Sequence, residues 1–187
     1  MGLLNTPMLP YFQKVNNIVT HETKELILSR VNRENFREFP RGWNLNLPIE
    51  EDLPFWQKLI PDDIDVGITI QVNWKDGGGL PIHADGYGDP TVDKSRHPSA
   101  TKRLCVITFP VSKYMSPTYF FETEGNTPKN VCQCDYDEGN GAIINVVKKL
   151  HRIENPEEDR VVLQLNVPLN IEQTIDLWFE KLQYVKI

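Results

Sequence analysis

Residues 64–167 break into eight short β-prone segments with turn residues between them and no helical period in the gaps. DVGITIQVNW (65–74) alternates Val66, Ile68, Ile70 and Val72, and GGGLPIHAD (77–85) follows a triple-glycine turn. RLCVITFPVS (103–112) is β-branched and aromatic, and TYFFE (118–122), VCQCDYD (131–137), GAIINVV (141–147), KLHRIE (149–154) and RVVLQLNV (160–167) complete the series. Strands at roughly 8–12-residue spacing predict a mainly β sandwich or barrel. A doubly wound parallel sheet needs a crossover helix between strands and is disfavoured on that ground.

The flanks read differently. Residues 1–62 mix short helical patterns with Pro-rich connections, and Thr20 can cap a helix through about Asn32 with Leu26, Ile27 and Val31 on one side. Pro48, Pro54 and Pro61 bracket a further short helical segment carrying Phe55, Trp56 and Leu59. Residues 170–184 form a C-terminal amphipathic helix, with Asn170 as N-cap and Ile171, Thr174, Ile175, Trp178 and Leu182 along one face. Residues 86–101 are the longest stretch without a pattern and make a candidate lid. At 187 residues the expectation is one domain: a helical N-terminal flank (1–62), a β core (64–167) and the helix at 170–184.

Charge and cysteine usage narrow the function. The net charge of −6 argues against a nucleic-acid partner. No apolar run approaches the roughly 20 residues of a membrane helix, and the N-terminus lacks the basic and apolar regions of a secretory signal. The Met1-Gly2 start followed by Thr6 fits a myristoylation pattern too short to count as an anchor, so no membrane partner is expected. Three cysteines, an odd number, point to a reducing compartment, hence the cytoplasm. Cys132-x-Cys134 reads as two small packing residues on one strand face rather than a thiolate metal pair. Neither a nucleophile elbow nor a phosphate-binding loop is present.

Four residues carry the chemistry. His83-Ala84-Asp85 places an imidazole and a carboxylate two positions apart, which on a strand puts both on one face. His151 lies just before the last core strand. Two histidines and one carboxylate on one face of an octahedral metal leave three positions open, a set suited to non-haem Fe(II) and oxygen chemistry. Arg160 begins RVVLQLNV, where alternation sets Arg160, Val162 and Gln164 on one face and Val161, Leu163 and Leu165 on the other. An arginine lining the interior calls for an anion, and its planar fork suits a carboxylate. A strand-end arginine paired with Glu157, Asp159 or solvent is the alternative.

This ordered set of HxD, a distal His, and an Arg about ten residues later resembles the Fe(II)/2-oxoglutarate-dependent oxygenases. VNWKDGGGLPIHADG is similar to the lead-in of prolyl-hydroxylase-like members, and GAIINVVKKLHRIENPEEDRVVLQLNV to the end of the aspartyl/asparaginyl β-hydroxylase-like branch. The resemblance covers roughly 66–167. It implies a double-stranded β-helix (a jelly roll, cupin-like) with flanking N-terminal helices and a C-terminal helix. It also implies Fe(II) on His83, Asp85 and His151, and 2-oxoglutarate as co-substrate with its distal carboxylate on Arg160. The implied reaction hydroxylates an organic molecule or a peptide side chain and yields succinate. Arg103 and Asn73 are the further co-substrate contacts expected. The sequence departs from the branch patterns at Arg103-Leu104-Cys105, where Arg-x-His is frequent, and at Asn73-Trp74, where some members carry a tyrosine.

Alternation on 103–109 sets Arg103, Cys105, Ile107 and Phe109 on one face, so an inward-facing strand would bring Arg103 to the iron. Lys94, Arg96 and Lys102 add local positive charge beside it, and Tyr87 and Trp74 flank the same region. Two other readings use the same residues. A cupin-type metal protein that does not use 2-oxoglutarate needs the three ligands but no dedicated carboxylate clamp. A binding or structural jelly roll needs neither.

Overall fold

The three strands buried at every position, Cys105–Pro110, Asn140–Ile144 and Arg160–Val167, lie side by side in the larger sheet, and Arg160–Val167 is at its centre. The computed structural model describes residues 10–32, 37–38, 43–45, 66–77, 81–85, 103–147, 149–154 and 157–182, with positions 64 and 79. The strands are β1 (Phe12–Asn16), β2 (Arg37–Glu38), β3 (Trp43–Leu45), β4 (Gly67–Asn73), β5 (Cys105–Pro110), β6 (Thr118–Glu124), β7 (Thr127–Cys134), β8 (Asn140–Ile144), β9 (Leu150–Ile153) and β10 (Arg160–Val167). The helices are α1 (His21–Arg30) and α2 (Ile171–Leu182). A seven-stranded sheet in the order β1-β8-β5-β10-β4-β3-β2 accompanies a three-stranded sheet, β7-β6-β9, and neighbouring strands in both are antiparallel. This is the mainly β, jelly-roll architecture expected, with helices at its flanks.

The larger sheet has two different buried faces. Val161, Leu163, Leu165 and Val167 of β10 join Ile68, Ile70 and Val72 of β4, Ile107 and Phe109 of β5, and Ile143 of β8 in one apolar layer. Ile27 of α1 and Ile171 and Trp178 of α2 complete this layer. The opposite face of β10 carries Arg160, Val162, Gln164 and Asn166, all buried. A second apolar cluster joins Val106, Ala142 and Ile144 of the larger sheet to Phe120, Cys134 and Tyr136. A strand buried on both faces and polar on one of them has been given a lining role.

The N-terminal flank is not purely helical. β1 pairs with β8 along its whole length, and β2 and β3 extend the sheet beyond β4. Only Val15 of β1 is fully buried, so the strand is held at the edge through its backbone and shows no apolar alternation to read. Its neighbour β8 approaches β5 very closely at Gly141, where a Cβ would lie 2.5 Å from the Thr108 carbonyl oxygen. In α1, Thr20 accepts from the Thr23 amide as the cap expected, but Leu26 is exposed, and Ile27 with Val31 supplies the packing face.

In α2, Asn170 Oδ1 accepts from Gln173 N at 2.9 Å while Gln173 Oε1 accepts from Asn170 N at 3.2 Å, a reciprocal capping box. Ile171, Thr174 and Trp178 are the fully buried ones among its described side chains. β6 and β7 form one hairpin longer than the apolar segments indicate, turning at Gly125 with φ +63°. Cys132 and Cys134 pack on the inner side of β7 as expected, and both are free thiols. The Pro54–Pro61 segment, the 86–101 stretch and the side chains of Tyr87, Lys94, Arg96 and Lys102 lie outside the described residues. Among those described, no helix is long and apolar enough to cross a membrane.

Candidate metal centre

His83 and His151 meet through their main chains. The His83 amide donates to the His151 carbonyl at 3.0 Å and the His151 amide to the His83 carbonyl at 2.8 Å. His151 is central in β9 and pairs on its other side with Phe120 of β6, so the HxD segment adds itself to the edge of the smaller sheet. Among the described residues of 77–85 a single bridge forms, not the strand that the segment suggests. Pro81 brings no N–H to a ladder, and the Asp85 amide turns to the Val146 carbonyl at 2.8 Å.

The side chains then converge. One potential ligand atom from each of His83, Asp85 and His151 lies within 4.8 Å of the others. Asp85 Oδ1 is 3.4 Å from His83 Nε2 and 3.9 Å from His151 Nε2. His83 Nδ1 lies 2.7 Å from the Pro81 carbonyl oxygen, and His151 Nδ1 lies 3.0 Å from that of Lys149. A carbonyl only accepts, so in the neutral rings both Nδ1 atoms carry the proton and both Nε2 atoms keep a lone pair toward Asp85. This backbone anchoring of the distal nitrogen is the arrangement that metal-binding histidines need.

The electrostatics of the three groups differ. Burial works to raise the Asp85 carboxyl, but Arg103, the His83 bond and the two imidazoles outweigh it and hold the group well below the usual carboxylate range. Burial depresses the His151 imidazole to about 4, against the pull of Asp85. Burial also opposes the charge on His83, but its bonds to Asp85 and the Pro81 carbonyl prevail and raise it. The donor set is therefore a firm carboxylate with two imidazoles, one of them neutral at ordinary pH. It fits a divalent transition metal, Fe(II) included, with three positions left for other ligands.

A cavity of about 50 Å³, room for several water molecules, opens between the sheets and is lined by the triad, Arg103 and Arg160 among others. The side chains of His83, Asp85 and Arg103 are 28%, 17% and 20% exposed, whereas Arg160 is 1% exposed, so Arg160 marks the enclosed part of the cavity. Arg160 faces Asn73 across the β10–β4 register and donates from Nη1 to Asn73 Oδ1 at 2.9 Å. Its guanidinium lies 5.6 Å from the Tyr136 ring, and its Nε is buried with no hydrogen-bond partner. No carboxylate among the described residues pairs with it and solvent scarcely reaches it, so the alternative of a strand-end arginine paired with Glu157, Asp159 or solvent does not hold; Asp159 accepts instead from the Lys75 amide. Burial lowers the Arg160 pKa. Hydrogen bonds of the guanidinium to Asn73 and Tyr136 return about 1.5–3 kcal/mol each, whereas burying a cation without a counter-charge costs on the order of several kcal/mol. A bound carboxylate would make good that difference, so the residues fit a dicarboxylate co-substrate.

Asn73 supports Arg160 and does not itself line the cavity. Arg103 does reach the triad, donating from Nη2 to Asp85 Oδ2. It does so from ahead of a bend at Leu104 that breaks the alternation. Cys105, Ile107 and Phe109 consequently belong to the helix-covered layer, and Val106 and Thr108 are the β5 residues that line the cavity. Cys105 Sγ lies 2.9 Å from Thr174 Oγ1 in that layer, and burial pushes its thiol up to about 12. Trp74 also packs into the same layer.

Sequence reasoning missed Gln71, Thr108 and Thr118, which line the cavity, and Thr69 and Asn166, which lie behind Arg103. The signal was available on β4, where Thr69, Gln71 and Asn73 alternate with Ile68, Ile70 and Val72. In a strand pairing on both sides, the polar phase must line something.

No protein-family model matches the chain, and no curated protein matches it in sequence. Solved structures do. A prolyl-4-hydroxylase from Pseudomonas putida superposes with a TM-score of 0.55 at 10% identity, covering 83% of this chain and 90% of that one. The chain shares the prolyl-hydroxylase fold. A prolyl hydroxylase from Trichoplax adhaerens, solved with a hypoxia inducible factor oxygen degradation domain peptide fragment, matches with a TM-score of 0.52 at 11% identity, covering 89% and 86%. The prolyl-hydroxylase fold accounts for 83–89% of the chain.

Proposed function

We propose that this chain is a non-haem Fe(II)/2-oxoglutarate-dependent dioxygenase that hydroxylates a peptide side chain or a small organic molecule. The observation that carries the reading is the pairing, in one cavity, of a His-Asp-His donor set with a buried arginine that has no carboxylate partner among the described residues. The shared fold with two prolyl hydroxylases, one bound to a peptide, supports both the class and a peptide as one substrate type.

In this reading His83, Asp85 and His151 bind the metal through two Nε2 atoms and one carboxylate oxygen. The Nδ1 bonds to Pro81 and Lys149 keep the rings in the binding tautomer. Arg160 holds the distal carboxylate of 2-oxoglutarate by a charge-assisted pair, and Asn73 keeps its guanidinium aimed. The apolar wall of Val106, Ile144 and Val146 limits water around the co-substrate. Bound Fe(II) with 2-oxoglutarate and dioxygen supplies the oxidant for C–H hydroxylation, with succinate and carbon dioxide as co-products. The whole of 1–187 is read as one such domain in the cytoplasm, a setting that three free thiols support. The alternative, a cupin-type metal protein independent of 2-oxoglutarate, leaves the buried guanidinium without a purpose.

The test is calorimetric titration of the Mn²⁺-loaded protein with 2-oxoglutarate, beside succinate release with Fe²⁺ and a panel of proline-containing peptides. The reading expects metal-dependent 2-oxoglutarate binding that Arg160→Ala strongly weakens. Metal binding at the triad without any 2-oxoglutarate binding would transfer the chain to the cupin alternative.

A further inference from the structure

We infer that Arg103 is the positioning residue of the Asp85 carboxylate, and that Asn166 and Thr69 hold it in that role. The inference rests on the metal-centre reading and adds what makes Asp85 a one-oxygen ligand.

The three ligands are anchored unequally. Both imidazoles are fixed by the main chain, through the reciprocal His83–His151 bridge and through their Nδ1 bonds. Asp85 belongs to no strand, and its amide bond to Val146 leaves the two side-chain torsions free. The side-chain contact that fixes the rest is Arg103 Nη2 on Oδ2, with Oδ1 left toward both Nε2 atoms.

Arg103 is itself anchored to the middle of the larger sheet. Its Nη1 donates to Asn166 Oδ1 at 3.0 Å. Asn166 Nδ2 lies 3.1 Å from Thr69 Oγ1 and 3.3 Å from the Gly67 carbonyl oxygen. Asn166 is 5% exposed and lies opposite Gly67 in the β10–β4 register, so both ends of its amide are engaged at a rigid place. The relay runs Thr69, Asn166, Arg103, Asp85. Each terminal nitrogen of Arg103 is used once within it, so the guanidinium is held at both ends. A carboxylate offering both oxygens would occupy two metal positions. With Oδ2 held by the guanidinium it occupies one, and a six-coordinate metal keeps three for exchangeable ligands.

The probe is Co²⁺, followed by calorimetry and by its visible d–d absorption on the full chain. Asp85→Ala and His83→Ala are the benchmarks and should lose tight binding. Arg103→Ala should weaken Co²⁺ by about 10–100-fold, the range of a lost outer contact to a ligand, and should change the shape of the spectrum. Arg103→Lys should recover part of the affinity, because one ammonium can still reach Oδ2. Asn166→Ala keeps the guanidinium and all three ligands and should weaken Co²⁺ in the same direction by less. The double variant should be no weaker than Arg103→Ala, since both act along one path. If Arg103→Ala fails to fold, Asn166→Ala decides. Wild-type affinity and spectrum in the folded Arg103 and Asn166 variants, with the benchmarks defective, would overturn the inference and leave the metal centre standing. So would weaker 2-oxoglutarate binding in Arg103→Ala at unchanged Co²⁺ affinity, which makes Arg103 a co-substrate anchor. Undiminished Co²⁺ binding in the benchmarks would remove the metal-centre reading itself.

Discussion

His83 and His151 hydrogen-bond to each other twice through their backbones, so the distance between the two imidazoles is set by a β-bridge and not by side-chain packing. The ring centroids lie 4.4 Å apart. A centre built this way is already assembled before a metal arrives, which makes its protonation state the main variable in binding.

Metal affinity should rise with pH through the His83 titration. The bonds to Asp85 and Pro81 raise the His83 pKa above its ordinary value of 6.5, so below that pH the ring holds a proton that a metal must displace. His151, depressed to about 4, is neutral there and releases none. Calorimetry of Mn²⁺ binding in buffers of different ionisation heat should count one proton released between about pH 5 and 6.5, falling toward zero at higher pH. A pH-independent affinity over that range would contradict this assignment of charge.

Arg160→Ala should weaken 2-oxoglutarate by about 2–5 kcal/mol, much of it the cost of leaving an anion unpaired in the cavity. Arg160→Lys should recover only part, because an ammonium lacks the planar fork. Neither change should alter Mn²⁺ affinity measured without the co-substrate. A loss of metal affinity equal to the loss of 2-oxoglutarate affinity would show that Arg160 acts on the fold instead.

Gly141→Ala should be destabilising by about 1–3 kcal/mol, as overpacking between strands is. The added methyl would meet the Thr108 carbonyl at 2.5 Å and Phe109 Cδ1 at 2.9 Å, and Thr108 is backbone that the β5–β10 pairing holds in place. A urea midpoint lowered at constant slope is the expected record; an unchanged midpoint would mean that β8 can move away from β5.

Asn170→Ala should cost about 1 kcal/mol by opening the capping box of α2. The thermal midpoint should fall, with Co²⁺ affinity unchanged. Equal stability would assign the helix end to Ile171 and Trp178 packing alone.

The β core was legible because its strands keep period 2 and are bounded by turn residues. The faces of β10 were also legible, since Val161, Leu163 and Leu165 can only pack while Arg160 and Gln164 must line. β1 was not, because one buried valine in five residues gives no period. Nor was the outer half of the β6–β7 hairpin, whose residues from Glu122 to Asn130 are exposed and carry no apolar alternation. At the site, the residue types that meet in the cavity and their chain order were readable, and so was the inward face of Arg160. The contacts of Arg103 with Asp85 and Asn166 were not. Its position follows from a bend at Leu104 and from a hydrogen bond to Asn166, 63 positions away, neither of which leaves a local pattern.

The most direct measurement is the metal content of the protein after loading with Mn²⁺ or Co²⁺ and exhaustive dialysis, compared with the His83→Ala/His151→Ala double variant. One divalent ion per wild-type chain and none in the folded double variant is the predicted result. Stoichiometric metal retained by the double variant would contradict the account at its centre.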